Sequence, residues 1–312
     1  MFTFLPQLFR GLAGLKRISI PDNQEKSEAN VLIKKILHIH AELASKEDLE
    51  PCAEVNELYS DLVDICTLPV TEEFSNMILE NDKILKILHD LRNFCSIIEF
   101  NTEKHWSIKA AGTEDVTEQA VCKCIENIPH IDINMELISD ELSAMRVVSQ
   151  KPIERIAIVG SGPLPLTGLG LTGMLFGTST DIRILNIDRE LNAIEAAKKL
   201  CNRLGSKAKG MEFLCAEAGS AIHLSEFDVV YLAILVGNTQ QEKELLLKNL
   251  VSEMRPGALL IVRGTTKLKR LMYSVFDPNT KPVAQILDVE TVIYPKNHYI
   301  VDTVTIGRVK AS

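Results

Sequence analysis

The sequence has no excess of positive charge and no long apolar run. Its 34 lysine and arginine residues are outnumbered by 42 aspartate and glutamate residues, giving a net charge of −8. A nucleic-acid or anionic-membrane surface is therefore not expected. The apolar opening "MFTFLPQLF" is interrupted by Pro6 and followed by basic residues. It is shorter than the roughly 20 apolar residues that a membrane span needs, so we expect no membrane partner and favour small-molecule chemistry.

The cysteines lack the pattern of a disulfide framework. There are 7 of them, an odd number, and we expect no cleavable secretory signal before them. Cys122 and Cys124 have no second pair or histidine cluster nearby that would complete a metal site. We therefore expect reduced thiols, a cytoplasmic protein and no bound metal.

The hydrophobic pattern divides the chain into two halves. Apolar residues recur at helical spacing from Ser27 to about Arg146. After "SQKPIE", short β-branched runs alternate with helical ones, which predicts right-handed βαβ units and a parallel sheet. The last two runs, "AQILDVETVIYP" and "YIVDTVTIGRV", have no helix between them and predict an antiparallel pair. We place a helical lid and acceptor domain at 1–150 and a sheet domain at 151–312.

This outline is typical of class I S-adenosylmethionine-dependent transferases. We therefore predict an α/β fold in which a Rossmann-like domain of that class follows an N-terminal α-helical domain. The stretch "IVGSGPLPLTGLGLTG" lies after the first predicted strand, where two glycines let the backbone approach a ligand closely. Pro165 replaces the third glycine of the dinucleotide fingerprint, which weakens the prediction of a bound pyrophosphate. S-adenosylmethionine has no phosphate and does not need the full fingerprint. A glycine-rich turn that serves only the fold is the alternative.

Further candidates lie where other strands end. Asp188 ends the second strand, where doubly wound folds present a carboxylate to ribose hydroxyls; capping of the following helix is the alternative, and both roles could coexist. The carboxyl ends of parallel strands meet at one edge of the sheet, so we expect a single pocket there. The residues predicted to bind the donor are Gly160, Ser161, Gly162, Pro163, Asp188, Glu217, Ala218, Leu235, Val236 and Gly237.

Several segments, in the same order, resemble the nicotianamine synthase family. They include "EVNELYSDLVDICTLP", "LRNFCSIIEFNTEKHWS", "IAIVGSGPLPLT", "FDVVYLAILVG", "MRPGALLIVRG" and "LMYSVFDP". The resemblance implies transfer of 3-amino-3-carboxypropyl groups from S-adenosylmethionine to an amine, release of methylthioadenosine, and formation of nicotianamine, a metal chelator. S-adenosylmethionine is then the donor substrate and no metal is required. The partners are small molecules, and a homodimer stays open.

The resemblance also implies roles for individual residues. Glu99 matches the family's catalytic glutamate, and Glu103 lies one turn further on the same helix face as a substrate contact. The incoming amine must lose a proton, which we expect Glu99 to accept. The family's tyrosine after a proline is replaced by His130, so His130 or Tyr59 is expected to supply the missing group. Arg263 follows the last parallel strand and is expected to pair bidentately with a substrate carboxylate.

Two other functions stay open. The sheet domain alone would suffice for an ordinary S-adenosylmethionine-dependent methyltransferase, although the helical segment "NELYSDLVDICTLP" speaks against one. The missing tyrosine would also fit a catalytically impaired relative that only binds a metabolite.

Overall fold

The computed structural model describes residues 22–149, 151–176, 182–295 and 301–311. Six helices come first, which confirms the helical character of this half. They are α1 (Asp22–Ala44), α2 (Ala53–Cys66), α3 (Glu72–Leu79), α4 (Asp82–Ala111), α5 (Glu118–Glu126) and α6 (Ile131–Val148). No helix within the described ranges is long and apolar enough to cross a membrane. The expectation for "MFTFLPQLF" falls outside these ranges.

Side-chain caps explain where two of these helices begin. The Thr71 hydroxyl accepts a hydrogen bond from the Phe74 amide at the start of α3, and the Thr117 hydroxyl accepts one from the Ala120 amide at the start of α5. Each cap satisfies an amide that has no partner inside its helix, which is worth about 1 kcal/mol.

A seven-stranded sheet follows, with the order β3-β2-β1-β4-β5-β7-β6. Strands β1 to β5 are parallel, while β7 runs antiparallel to both β5 and β6. The α/β class and the closing antiparallel pair are thereby confirmed. The elements are β1 (Arg155–Val159), α7 (Leu166–Leu175), β2 (Arg183–Asp188), α8 (Leu191–Leu204), β3 (Met211–Cys215), β4 (Val229–Leu232), α9 (Gln240–Glu253), β5 (Leu259–Gly264), α10 (Lys281–Ile286), β6 (Leu287–Ile293) and β7 (Thr303–Val309).

The hydrophobic cores join the two predicted halves. Leu137 and Met145 of α6 pack on one face of the sheet, together with residues of β1, β4 and β5. A 3-10 turn at Lys267–Leu271 follows β5, and Leu268 and Tyr273 of this region are buried among the residues of α1 to α4. The domain boundary near residue 150 stays a prediction, and apolar contacts cross it in both directions.

Candidate active site

A cavity of about 610 Å³ opens at the carboxyl ends of the parallel strands. This volume lies within the range of small-molecule sites. The loops after β1 to β4 form one side, and one face of α4 forms the other. The lining includes all ten residues predicted for the donor: Gly160, Ser161, Gly162, Pro163, Asp188, Glu217, Ala218, Leu235, Val236 and Gly237. Glu99, Glu103 and Arg263 also line it.

The first two glycines of the loop after β1 are required by its geometry. Gly160 has a φ of 82° and Gly162 a φ of 68°, a left-handed conformation that other residues rarely adopt. A methyl group of Val236 occupies the space where a Cβ of Gly160 would lie, and the carboxylate of Glu103 occupies that space at Gly162. The glycines therefore allow two other cavity elements to approach this loop.

Asp188 connects the glycine loop to the end of β2. Its Oδ2 accepts a hydrogen bond from the Gly162 amide at 2.9 Å, and its Oδ1 accepts one from the Glu190 amide at 3.0 Å. Glu190 is itself the residue that precedes α8 in the capping position. Asp188 is therefore not the N-cap residue of α8, and its carboxylate joins the glycine loop to the turn that precedes this helix.

Glu99 lies in α4 and receives hydrogen bonds from two tyrosines. Tyr59 Oη donates to Glu99 Oε1 at 2.6 Å, and Tyr273 Oη donates to the same oxygen. Burial raises the pKa of Glu99, while the bonds from Tyr273 and Tyr59 oppose that rise because they favour the charged carboxylate. Burial and the charge of Glu99 raise the pKa of both phenols, which therefore remain protonated donors.

Glu103 lies one turn beyond Glu99 on the same face of α4. Burial raises the pKa of its carboxyl to about 8, and the negative charges of Glu99 and Asp188 contribute in the same direction. A hydrogen bond with the backbone of Leu164 acts against this shift. In the free protein Glu103 is therefore largely protonated at neutral pH.

The guanidinium of Arg263 is already paired. Its Nε and Nη2 donate to Oε1 and Oε2 of the fully buried Glu141 at 2.7 and 2.9 Å, and its Nη1 donates to Thr167 Oγ1 at 3.1 Å. Glu141 takes the side of the guanidinium formed by Nε and Nη2, so the expected pairing with a substrate carboxylate would have to use the remaining N–H groups of Nη1 and Nη2. A substrate contact through Nη1 stays a prediction.

The structure does not bring His130 into the cavity. His130 precedes α6 with a left-handed φ of 61°, is exposed, and is absent from the lining. Tyr59 is also outside the lining, but it contacts Glu99 directly. Tyr273, which the sequence reasoning missed, both lines the cavity and donates to Glu99. The only signal for it was its place in "LMYSVFDP", a segment that resembles the family.

The described part of the chain contains no group of three or more histidine, cysteine, aspartate or glutamate side chains that could hold a metal ion. All seven cysteines fall within it, and each is a free thiol. Among these, Cys66, Cys95 and Cys201 are buried. Burial raises the pKa of all three thiols, so none of them is poised to act as a nucleophile.

The strand order with its reversed β7, and a cavity at the carboxyl ends of the strands, define a class I S-adenosylmethionine-dependent transferase fold. A family model described as nicotianamine synthase protein matches residues 23–312. The chain therefore belongs to the nicotianamine synthase family, which confirms the resemblance.

Individual relatives agree with this assignment. A nicotianamine synthase of Solanum lycopersicum is 27% identical over 281 residues, covering 90% of this chain and 84% of the relative. Nicotianamine synthase 1 of Hordeum vulgare is 32% identical over 265 residues, covering 82% of this chain and 75% of the relative. Among solved structures, MtNAS in complex with MTA and tNA superposes with a TM-score of 0.70. It is 18% identical, covering 89% of this chain and 98% of that one, and supports the fold.

Proposed function

We propose that this protein is an active nicotianamine synthase. It transfers 3-amino-3-carboxypropyl groups from S-adenosylmethionine to an amine acceptor, releases methylthioadenosine and forms nicotianamine, a metal chelator. Family membership over nearly the whole chain supports this function. The structural observation that carries it is the position of Glu99 and Glu103, which line the same cavity as the glycine loop. Potential proton acceptors and the predicted donor site thus share one chamber.

The donor side of the cavity fits S-adenosylmethionine. The glycine loop offers a close backbone approach, and Asp188 lies at the end of β2, where this type of fold contacts a ribose. The hydroxyl of Ser161 is buried and has no hydrogen-bond partner within the described residues, so it is available to a ligand. The carboxylate of Glu99 complements the positive charge of the sulfonium and of an incoming amine, and Glu103 does the same once it is ionised.

The chemistry requires orientation and one proton transfer. The lone pair of the acceptor nitrogen attacks the propyl carbon next to sulfur, the carbon–sulfur bond breaks, and its electron pair stays on sulfur in methylthioadenosine. The sulfonium is already a good leaving group, so the enzyme must mainly align the propyl carbon, rather than the methyl carbon, with the nitrogen. The nitrogen's surplus proton passes to a carboxylate.

Glu99 stays the predicted proton acceptor. Its two phenol partners hold the carboxylate in place and favour its ionised form. Glu103 has a pKa of about 8, close to neutral pH, which is the range that suits a general base. Binding of the cationic donor would favour ionisation of Glu103, because an adjacent positive charge stabilises a carboxylate. We therefore include both carboxylates in the catalytic proposal.

The test is product identification by mass spectrometry. Purified protein is incubated with S-adenosylmethionine alone, and methylthioadenosine is expected together with nicotianamine or a shorter amino-acid conjugate. Formation of S-adenosylhomocysteine would indicate methyl transfer and reject the proposal. Binding of S-adenosylmethionine without turnover would instead identify a catalytically impaired relative.

The compartment and the assembly belong to the same proposal. Seven free thiols, two of them exposed, suit a reducing cytoplasm. Fluorescence of the tagged full-length chain tests this location, and accumulation in a secretory compartment would contradict it.

A homodimer is the proposed alternative to a monomer. Light scattering during gel filtration decides between them, since a single-chain mass would reject the dimer.

A further inference from the structure

The loop after β4 is held by side chains from three other elements. We call residues 234–238 the strand-4 loop, and all five of them line the cavity wall. Its carbonyl groups accept hydrogen bonds from Lys243 in α9, Ser274 after the 3-10 turn, and Arg92 in α4. The bonds are Lys243 Nζ to Ile234 O at 3.0 Å and to Val236 O at 2.7 Å, Ser274 Oγ to Gly237 O at 2.7 Å, and Arg92 Nη1 to Asn238 O at 3.3 Å.

Lys243 is the unusual member of this set. Its side chain is fully buried, and it forms no ion pair with a carboxylate in the described part of the chain. Burial, together with the positive charge of Arg92, lowers the pKa of its ammonium to about 8. Burying a cation without a counter-ion is costly, and an apolar side chain would fill the same space without that cost. The two carbonyl contacts are the interactions that an apolar residue could not make.

Through Val236, the contacts of Lys243 also affect the position of the glycine loop. Lys243 holds the Val236 carbonyl, and the side chain of Val236 lies where a Cβ of Gly160 would be. Gly237 has a φ of 83°, and a Cβ there would lie 2.9 Å from Cγ of Lys243. The strand-4 loop is thus packed between Lys243 on one side and the glycine loop on the other. Lys243 itself is not among the residues that line the cavity.

We propose that Lys243 is a positioning residue for the donor substrate, holding the strand-4 loop against the glycine loop so that the nucleoside side of the cavity is formed before S-adenosylmethionine binds. Ser274 and Arg92 assist by holding the next two carbonyls. This inference rests on the proposed function, since it takes S-adenosylmethionine as the donor. A preformed loop avoids the entropy cost of ordering it when the ligand binds.

The main variant is Lys243→Met, which removes the donor group while retaining a long apolar stem. We expect the Kd for S-adenosylmethionine, measured by calorimetry, and its KM to rise about tenfold, because hydrogen bonds from a charged donor are worth more than neutral ones. The kcat should change by less than about threefold, since Glu99 and Glu103 are untouched. Lys248→Met, at an exposed position of the same helix, is the matched control and should leave both constants unchanged.

Ser274→Ala provides an independent variant, because it removes one bond to the same loop without creating a large cavity. We expect a smaller rise in KM with unchanged kcat, and this variant decides the question if Lys243→Met does not fold. Wild-type affinity in a folded Lys243→Met, or an unchanged KM in Ser274→Ala when the first variant is unfolded, would overturn the inference. Failure of the wild-type protein to bind S-adenosylmethionine would instead reject the proposed function.

Discussion

Replacing Glu103 with glutamine is expected to stabilise the free protein while reducing its activity. The folded state raises the pKa of this carboxyl from 4.5 to about 8. Folding therefore takes up a proton between these pH values, and the protein loses stability as the pH rises from about 4.5 to about 8. At pH 7 the loss is at most about 3 kcal/mol. The side chain of Glu103 is only partly buried, so water in the cavity reduces the cost of its charge. We therefore expect Glu103→Gln to raise the free energy of unfolding by about 1 to 3 kcal/mol.

The assay is denaturant unfolding of the wild type and Glu103→Gln at pH 5 and pH 8. Glutamine resembles the protonated acid, so the two proteins should be similar at pH 5 and diverge at pH 8, where the variant is more stable. Glu57→Gln is the control, since Glu57 is exposed on α2 and its replacement should change little at either pH. A variant that is less stable than the wild type at pH 8, or a stability difference independent of pH, would refute the reasoning.

Three further changes separate the roles within the site. Glu99→Gln should lower kcat by roughly a hundredfold or more with little change in the Kd for S-adenosylmethionine, and near-normal turnover would remove Glu99 from the base role. His130→Phe should leave kcat and KM close to wild type in the mass-spectrometric assay, because His130 is exposed and outside the cavity lining; a large loss would restore it as a catalytic candidate. Glu141→Gln should reduce the free energy of unfolding by about 2 to 4 kcal/mol, since it leaves the guanidinium of Arg263, whose side chain is only 15% exposed, without its counter-charge. A loss below about 1 kcal/mol in urea unfolding would show that the pair contributes little.

The part of the site that follows from strand ends could be predicted from the sequence. Short β-branched runs placed the strands, and the parallel arrangement required their carboxyl ends to meet at one edge. Once Gly160 and Asp188 were recognised as strand-end residues, a shared position in one cavity followed from topology alone. Glycines at positions 160 and 162 also indicated a left-handed backbone from the sequence alone, because few other residues adopt that conformation.

The part that depends on tertiary packing could not be predicted in this way. Tyr273 reaches Glu99 from a position 174 residues away in the sequence, and Glu141 reaches Arg263 across 122 residues. Neither contact has a local pattern, since each depends on how a helix or turn packs against an element from the other half of the chain. His130 is the opposite case, because a local sequence pattern predicted a role that its position in the structure does not support. Its place after a proline matched the family's tyrosine, but the chain direction at the start of α6 leaves it exposed.

Two tyrosines from distant parts of the chain surround Glu99. Tyr59 comes from α2 and Tyr273 follows the 3-10 turn after β5, yet both donate to the same carboxylate oxygen. Because both bonds favour the ionised carboxylate, the pKa of Glu99 depends on the packing of the helices against the segment after β5. The helical half and the sheet half thus jointly set the proton affinity of the predicted base, which neither could do alone.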